Sequence, residues 1–198
     1  RPLTVSLNAG AFDGDSIWRI KHLEVNDEYL HIKGKDLSGN HAQISSGSLQ
    51  LDETALKDSY AFYFLPIISS GLAQLDIEGS LSASVSFQNN KISDYQLNFS
   101  QVNVEHLPET GVQKFAFKNF NGFLHSAADS VKKDSYLGFD HAWLFETIEF
   151  GQIHIPLETT PQSVAVSQTS NLPIFDGELL IEKFRLDFSE KSPIVEFD

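Results

Sequence analysis

Leu81-Ser82-Ala83-Ser84-Val85-Ser86-Phe87 alternates apolar and hydroxyl side chains without a break. Successive side chains of a β-strand point to opposite faces. This stretch therefore puts Leu81, Ala83, Val85 and Phe87 on one side and three serines on the other. The same period of two recurs outward from it. Leu97 and Phe99 follow, then Phe115 and Phe117, then Ile153, Ile155 and Leu157. Val164 and Val166, and Phe184, Leu186 and Phe188, repeat it towards the end of the chain. Alternation of this kind predicts an antiparallel sheet with one apolar and one solvated face.

Turn signals separate the runs: Asp13-Gly14, Ser38-Gly39-Asn40, Asn89-Asn90, Pro108-Glu109, Asn121-Gly122 and Asp176-Gly177. Short connections make sequence neighbours pair in space, which predicts a meander. Helical period is weak. Its best candidate runs from Asp52 to about Ser69, where Leu56, Tyr60 and Tyr63 are spaced for one face of a short helix. The cluster Ala61-Phe62-Tyr63-Phe64-Leu65 fits a strand as well. The polar stretch Ser126 to Ser135 reads as a loop or a ragged helical turn. The fold class expected is all-β, with at most one or two short helices.

A loose apolar-x-Gly-x-Leu pattern occurs at Ile77–Leu81, Phe120–Leu124 and Phe175–Leu179, with a partial copy at Ile32-Lys33-Gly34. A repeat of that kind would stack units that pack on their neighbours. Chance matches in a β-protein would look the same.

At 198 residues one domain is the default, with two small ones as the alternative. The absence of cysteine excludes disulfides, a thiolate nucleophile and Cys-ligated metal. The net charge of −13 repels phosphate backbones, so no nucleic-acid partner is expected. The longest apolar run, Ala61 to Ile68, contains Pro66 and falls well short of the roughly 20 residues that span a bilayer. The chain opens at Arg1-Pro2 without methionine and with no basic segment leading into an apolar one. That opening suggests a piece of a longer or processed polypeptide.

No catalytic set is legible. His22, His31, His41, His106, His125, His141 and His154 are scattered, without metal-ligand spacing. Asp13-Gly14-Asp15 opens like a calcium loop, but the remaining ligands do not follow. Glu146 and Glu149 read as solvated edge charges rather than an acid–base pair. Ser69-Ser70-Gly71 is a turn, not a nucleophile elbow, and no phosphate-binding glycine loop occurs. Asn98-Phe99-Ser100 is a formal glycosylation acceptor in mid-strand. The chain is expected not to be an enzyme and to need no cofactor and no metal. Its informative residues are 16 Phe, 5 Tyr and 2 Trp. A single apolar sheet face must be covered. It can pack on a second sheet, close into a barrel, or curve around an apolar ligand.

Two stretches carry a resemblance. One runs from Leu137-Gly138-Phe139 through Trp143-Leu144-Phe145 into Ile148-Glu149-Phe150-Gly151-Gln152-Ile153. The other is Asn171-Leu172-Pro173-Ile174-Phe175-Asp176-Gly177-Glu178-Leu179-Leu180-Ile181, followed by Phe184. With the layout of Leu75 to Val104, they resemble the bacterial AsmA-like superfamily, especially its YdbH-type members, which are similar to the eukaryotic chorein-type bridge proteins. The resemblance implies a curved, twisted antiparallel meander forming a β-groove lined by apolar side chains. It implies residence in the periplasm as part of a parent protein anchored in the inner membrane, and phospholipid transport towards the outer membrane.

The expectation taken forward is a single β-groove domain over residues 1–198, a segment of a longer repeat-built protein. It would bind phospholipid acyl chains and contact neighbouring segments of the parent chain and envelope proteins at the membrane ends. The groove lining expected is Leu81, Val85, Phe87, Leu97, Phe99, Phe115, Phe117, Ile153, Ile155 and Leu157. The alternative is a non-catalytic β-sandwich module of a cell-envelope protein.

Overall fold

The computed structural model describes residues 4–13, 17–40, 43–65, 74–108, 111, 113–127, 131–175, 177–189 and 194–197. Seven long strands come first: β1 (Thr4–Asp13), β2 (Ile17–Asn26), β3 (His31–Asn40), β4 (Gln43–Ala55), β5 (Leu75–Gln88), β6 (Lys91–His106) and β7 (Phe115–Ala127). Each pairs antiparallel with the next. Beyond β7 the strands come in broken pairs: β8 (Lys132–Phe139) with β9 (His141–Leu144), and β10 (Ile148–Phe150) with β11 (Ile153–Thr160). The pattern continues with β12 (Ser163–Val166) and β13 (Ser170–Ile174), β14 (Gly177–Ile181) and β15 (Phe184–Asp187), and a last strand β16 (Ile194–Phe197). One half of each pair continues the main sheet as β8, β11, β12 and β15. The other halves, β9, β10, β13 and β14, form a branch that begins on the first residues of β7. All sixteen described strands belong to one sheet, whose order ends on β1 and β16. The meander expected from the turn spacing is what forms.

The first two breaks lie on one line, since β8 stops at Asp140 opposite the Gly151-Gln152 gap. The breaks at Ser167–Thr169 and Glu182-Lys183 face each other but are offset from it along the strands, because the Gly151 N–H donates to the Pro173 carbonyl within β13 and the Ser167 N–H to the Pro156 carbonyl within β11. Inward, the line runs into two bulges, where Asn119 (φ 51°) and Gln101 (φ 51°) adopt left-handed backbone. A bulge leaves ladder groups unpaired, and asparagine side chains replace the missing bonds. Asn121 Oδ1 accepts from the Gln101 N–H at 2.9 Å, and Asn103 Oδ1 accepts from the Asn119 N–H at 2.8 Å. Gly79 (φ 102°) faces the Gln101-Val102 bulge, and a Cβ there would lie 2.6 Å from the Gln101 carbonyl oxygen. Gly47 (φ 110°) opposes a matching bulge at Asp36-Leu37.

Several local expectations change. Asn121-Gly122 is not a turn but the middle of β7; the Asn121 side chain belongs to the bulge network, and Gly122 leaves room for Leu137. Ser38-Gly39-Asn40 is the end of β3, with the Trp18 ring lying over Gly39. Asn89-Asn90 does make the tight hairpin turn, at φ 54° and 62°. Of the two alternatives for the stretch Asp52–Ser69 the short helix is the one that forms, as α1 (Leu56–Ser59) followed by a π-helical turn over Tyr60–Phe64; residues 66–69 lie outside the described residues. Strand residues occupy both ends of the polar stretch Ser126 to Ser135, where β7 reaches Ala127 and β8 begins at Lys132; residues 128–130 lie outside the described residues. Gly14 of the Asp13-Gly14 signal and Asp176 also lie outside them. The three glycines of the loose repeat do different jobs. Gly79 sits at a bulge, Gly122 lies in mid-strand, and Gly177 opens β14.

The core is small. Among described residues the buried apolar side chains are Leu37, Val102, Ala116, Ala142, Ile153 and Leu157. Four of them lie in β7, β9 and β11, where the sheet curls. β8 separates β7 from β11 and would hold them about 9.6 Å apart in a flat sheet, yet Cα atoms of the two approach within 8 Å.

Candidate functional site, an open apolar face

Strand register assigns faces directly, because paired residues share one. Leu81 pairs with Phe99, Phe99 with Gly122, Gly122 with Leu137 and Leu137 with Ile155. The next row runs from Ile32 through Leu51, Ala83 and Leu97 to Leu124. Val85 pairs with Leu49, and Phe87 lies two residues further along the same strand. Phe117 pairs with Val104 and packs edge-on against Phe139, which pairs with Ile153; Phe115 lies beside Phe117. All ten residues expected to line a groove thus lie on one face of one sheet.

They are not equivalent there. Leu81, Val85, Phe87, Leu97, Phe99, Phe115, Phe117 and Ile155 are half-buried. Ile153 and Leu157 are buried in the curled part and form packed floor rather than accessible lining. No second sheet lies over this face among the described residues.

The structure adds residues the reading of the sequence left out: Ile32, Leu49, Leu51, Val102, Val104, Phe120, Leu124 and Leu137. A signal for some of them exists. The apolar period continues from Phe99 to Val102 and from Phe117 to Phe120, each time one residue out of step. Those slips are the Gln101 and Asn119 bulges, which return the alternation to the same face.

Two features interrupt the apolar face. The first is the helical segment between β4 and β5. Phe62 stacks on Tyr29 of the β2–β3 turn with ring centroids 4.6 Å apart. Tyr63 lines a recess of about 370 Å³ with Leu30, Ile32, Leu49, Leu51, Ala83 and Val85. The second is a buried hydroxyl cluster. Ser135 Oγ lies 2.9 Å from Thr159 Oγ1, which donates to the His125 carbonyl at 2.5 Å. Ser126, on this face opposite Tyr95, is buried with no hydrogen-bond partner for its Oγ. Burial raises the Tyr95 phenol above its usual value, against a smaller opposing hydrogen bond with Thr159.

The opposite face is mainly polar, carrying Ser82, Ser84, Ser86, Gln96 and Asn98. It also holds Phe123, beside His125, and Tyr136, stacked on His154 at 4.8 Å. A charged network crosses β2, β3 and β4 on this side. His31 Nε2 contacts Glu24 at 2.9 Å, His31 Nδ1 contacts Asp52 at 2.8 Å, and Lys33 Nζ donates to Asp52 at 2.7 Å. The His31 hydrogen bond is the main cause that lowers the Glu24 carboxyl, and the Lys33 hydrogen bond that which lowers Asp52. Glu146 accepts the Gln113 N–H, whereas Glu149 lies near His141. Among described residues no three His, Asp or Glu side chains converge as a metal site.

Comparison with known proteins found no matching family model, no matching curated protein and no matching solved structure.

Proposed function

We propose that this chain is a lipid-handling β-groove segment that holds phospholipid acyl chains against its apolar face and takes part in moving them between membranes. The supporting observation is the apolar face from β3 to β11, largely half-buried and with no second sheet over it among the described residues. Exposed apolar patches beyond a few hundred Å² mark a ligand or partner. An acyl chain suits such a surface because each buried methylene contributes about 0.8 kcal/mol and no directional polar contact is needed. Head groups would stay in water at the rim, so the acidic balance of the chain does not oppose the reading.

The resemblance to the AsmA-like superfamily extends the proposal to a periplasmic setting within an inner-membrane-anchored parent, with neighbouring parent segments and envelope proteins as partners. Mass spectrometry of an organic extract of the purified protein tests it. Co-purified phospholipid in near-stoichiometric amount is expected. A lipid-free protein that also fails to take up phospholipid from vesicles would overturn the reading.

A further inference from the structure

The sheet ends on β1 and β16, and the two edges are built differently. β16 is four residues long and carries Glu196, which lies 3.5 Å from Lys183. Shortness and charge both guard an edge strand against pairing with another chain. β1 has neither guard. It is ten residues long, and from Thr4 to Phe12 it holds no charged residue and no proline. No described strand pairs with its outer side. The apolar face also runs out to this edge. The row through Leu51, Ile32 and Val25 ends on Val5, and the row through Leu49, Gly34 and Leu23 ends on Leu7. Val5 is 57% exposed and Leu7 55%.

We propose that the outer edge of β1 pairs antiparallel with β1 of a second copy of this chain, about a two-fold axis at Ser6. An edge ladder is completed by an extended strand, whose backbone donors and acceptors repeat at the same spacing. A second β1 suits it because the strand is self-complementary. Directly opposed residues of an antiparallel pair share a face, so both apolar faces fall on one side and the two sheets become one. With Ser6 opposite Ser6, Val5 of each copy meets Leu7 of the other, and four exposed apolar side chains are covered. Thr4 to Asn8 is also the part of β1 that pairs with β2 without a bulge. The net charge of −13 is not concentrated here, since β1 is neutral up to Phe12 and β2 sets Arg19 and Lys21 against Glu24. The pairing stands apart from the lipid reading, and either can fail without the other.

The test is sedimentation equilibrium of the whole chain from about 5 µM to about 500 µM, a range that brackets a micromolar Kd. A weak dimer of the 22.1 kDa chain is expected, because so short an interface buries less than the about 1,200 Å² of a tight complex. Val5→Lys/Leu7→Lys sets like charges opposite each other and should abolish the dimer, whereas Val5→Lys/Leu7→Glu sets opposite charges there and should restore it. The chain has no cysteine, so single thiols report the register. Ser6→Cys places two Cα atoms about 5 Å apart, within disulfide reach, and should give a covalent dimer on mild oxidation. Thr4→Cys, with its two copies about 14 Å apart along the strands, should not. If circular dichroism shows the charged variants unfolded, the two cysteine variants decide alone. A monomer throughout the range overturns the proposal. So does a dimer that survives the paired lysines or cross-links equally through Thr4→Cys, since either places the contact elsewhere, at β16 or on the open face.

Discussion

The Asn119 side-chain amide donates to Asp140 Oδ2 at 2.7 Å, across the line where the strand after β7 breaks into β8 and β9. The Asp140 N–H in turn donates to the Lys118 carbonyl at 3.0 Å. The break is therefore a hydrogen-bonded joint, and Asn119 suits it twice: it tolerates φ 51° and supplies the donor. Asn119→Ala should destabilise the fold by about 1–3 kcal/mol, the cost of a lost bond to a half-buried carboxylate plus backbone strain. Asn119→Asp should cost more, because two carboxylates would then face each other. Urea unfolding monitored by tryptophan fluorescence measures both.

Gly79→Ala tests the second joint. The new Cβ would fall 2.6 Å from the Gln101 carbonyl oxygen and 2.7 Å from the Val102 Cα, both backbone atoms, at a φ of 102°. A loss above about 1 kcal/mol is expected, lowering the melting temperature by at least about 2–4 °C. Gly177→Ala is the control, since its nearest neighbour would be 3.8 Å away.

Val85→Asp separates an open face from a filled core. Val85 is half-buried, so a carboxylate there keeps access to water, and the variant should fold and melt cooperatively. It should carry less acyl chain than the wild type, while Ser84→Asp on the polar face should carry the same amount. If Val85→Asp abolished folding and the wild type held no lipid, the face would be a closed core, where an unpaired charge costs several kcal/mol.

Acid should destabilise the protein in steps. Glu24 and Asp52 lie below their ordinary values of 4.5 and 3.8 in the folded state. Asp187 lies at about 2, because Ser189 donates to it first and Arg185 after that. A lowered carboxyl contributes stability that is fully present above its unfolded value and lost as pH falls through the folded one. The melting temperature should hold above about pH 5 and decline from pH 4.5 downward, with the Asp187 contribution lost last, near pH 2. Asp187→Asn should lower the plateau and flatten the lowest part of that decline.

The alternation at Leu81–Phe87 and at Ile153–Leu157 was enough to place those side chains on one face, because strand period is a local property of the backbone. The turn signal at Asn121-Gly122, by contrast, was misleading. Asparagine followed by glycine suits a tight turn, but here Gly122 lets Leu137 pack close and Asn121 bonds a bulge on the neighbouring strand. Neither partner is near in sequence. The recess under Tyr63 was equally hidden, since it needs the helical segment brought against residues of three strands.

The amino-acid sequence alone determined the strand content, the antiparallel meander and that the alternating side chains from Leu81 to Leu157 share the apolar face. Each of these follows from the two-residue repeat of an extended chain and from short connections. The tertiary structure decided that the face stays open between β1 and β16, that the sheet curls enough to bury Ile153 and Leu157, and that the later strands break into two branches. Curvature accumulates from bulges and twist over many strand pairings. It depends on how Gly79 meets Gln101 and how Asn119 meets Asp140, contacts between residues about 20 apart in the chain, which no local period encodes.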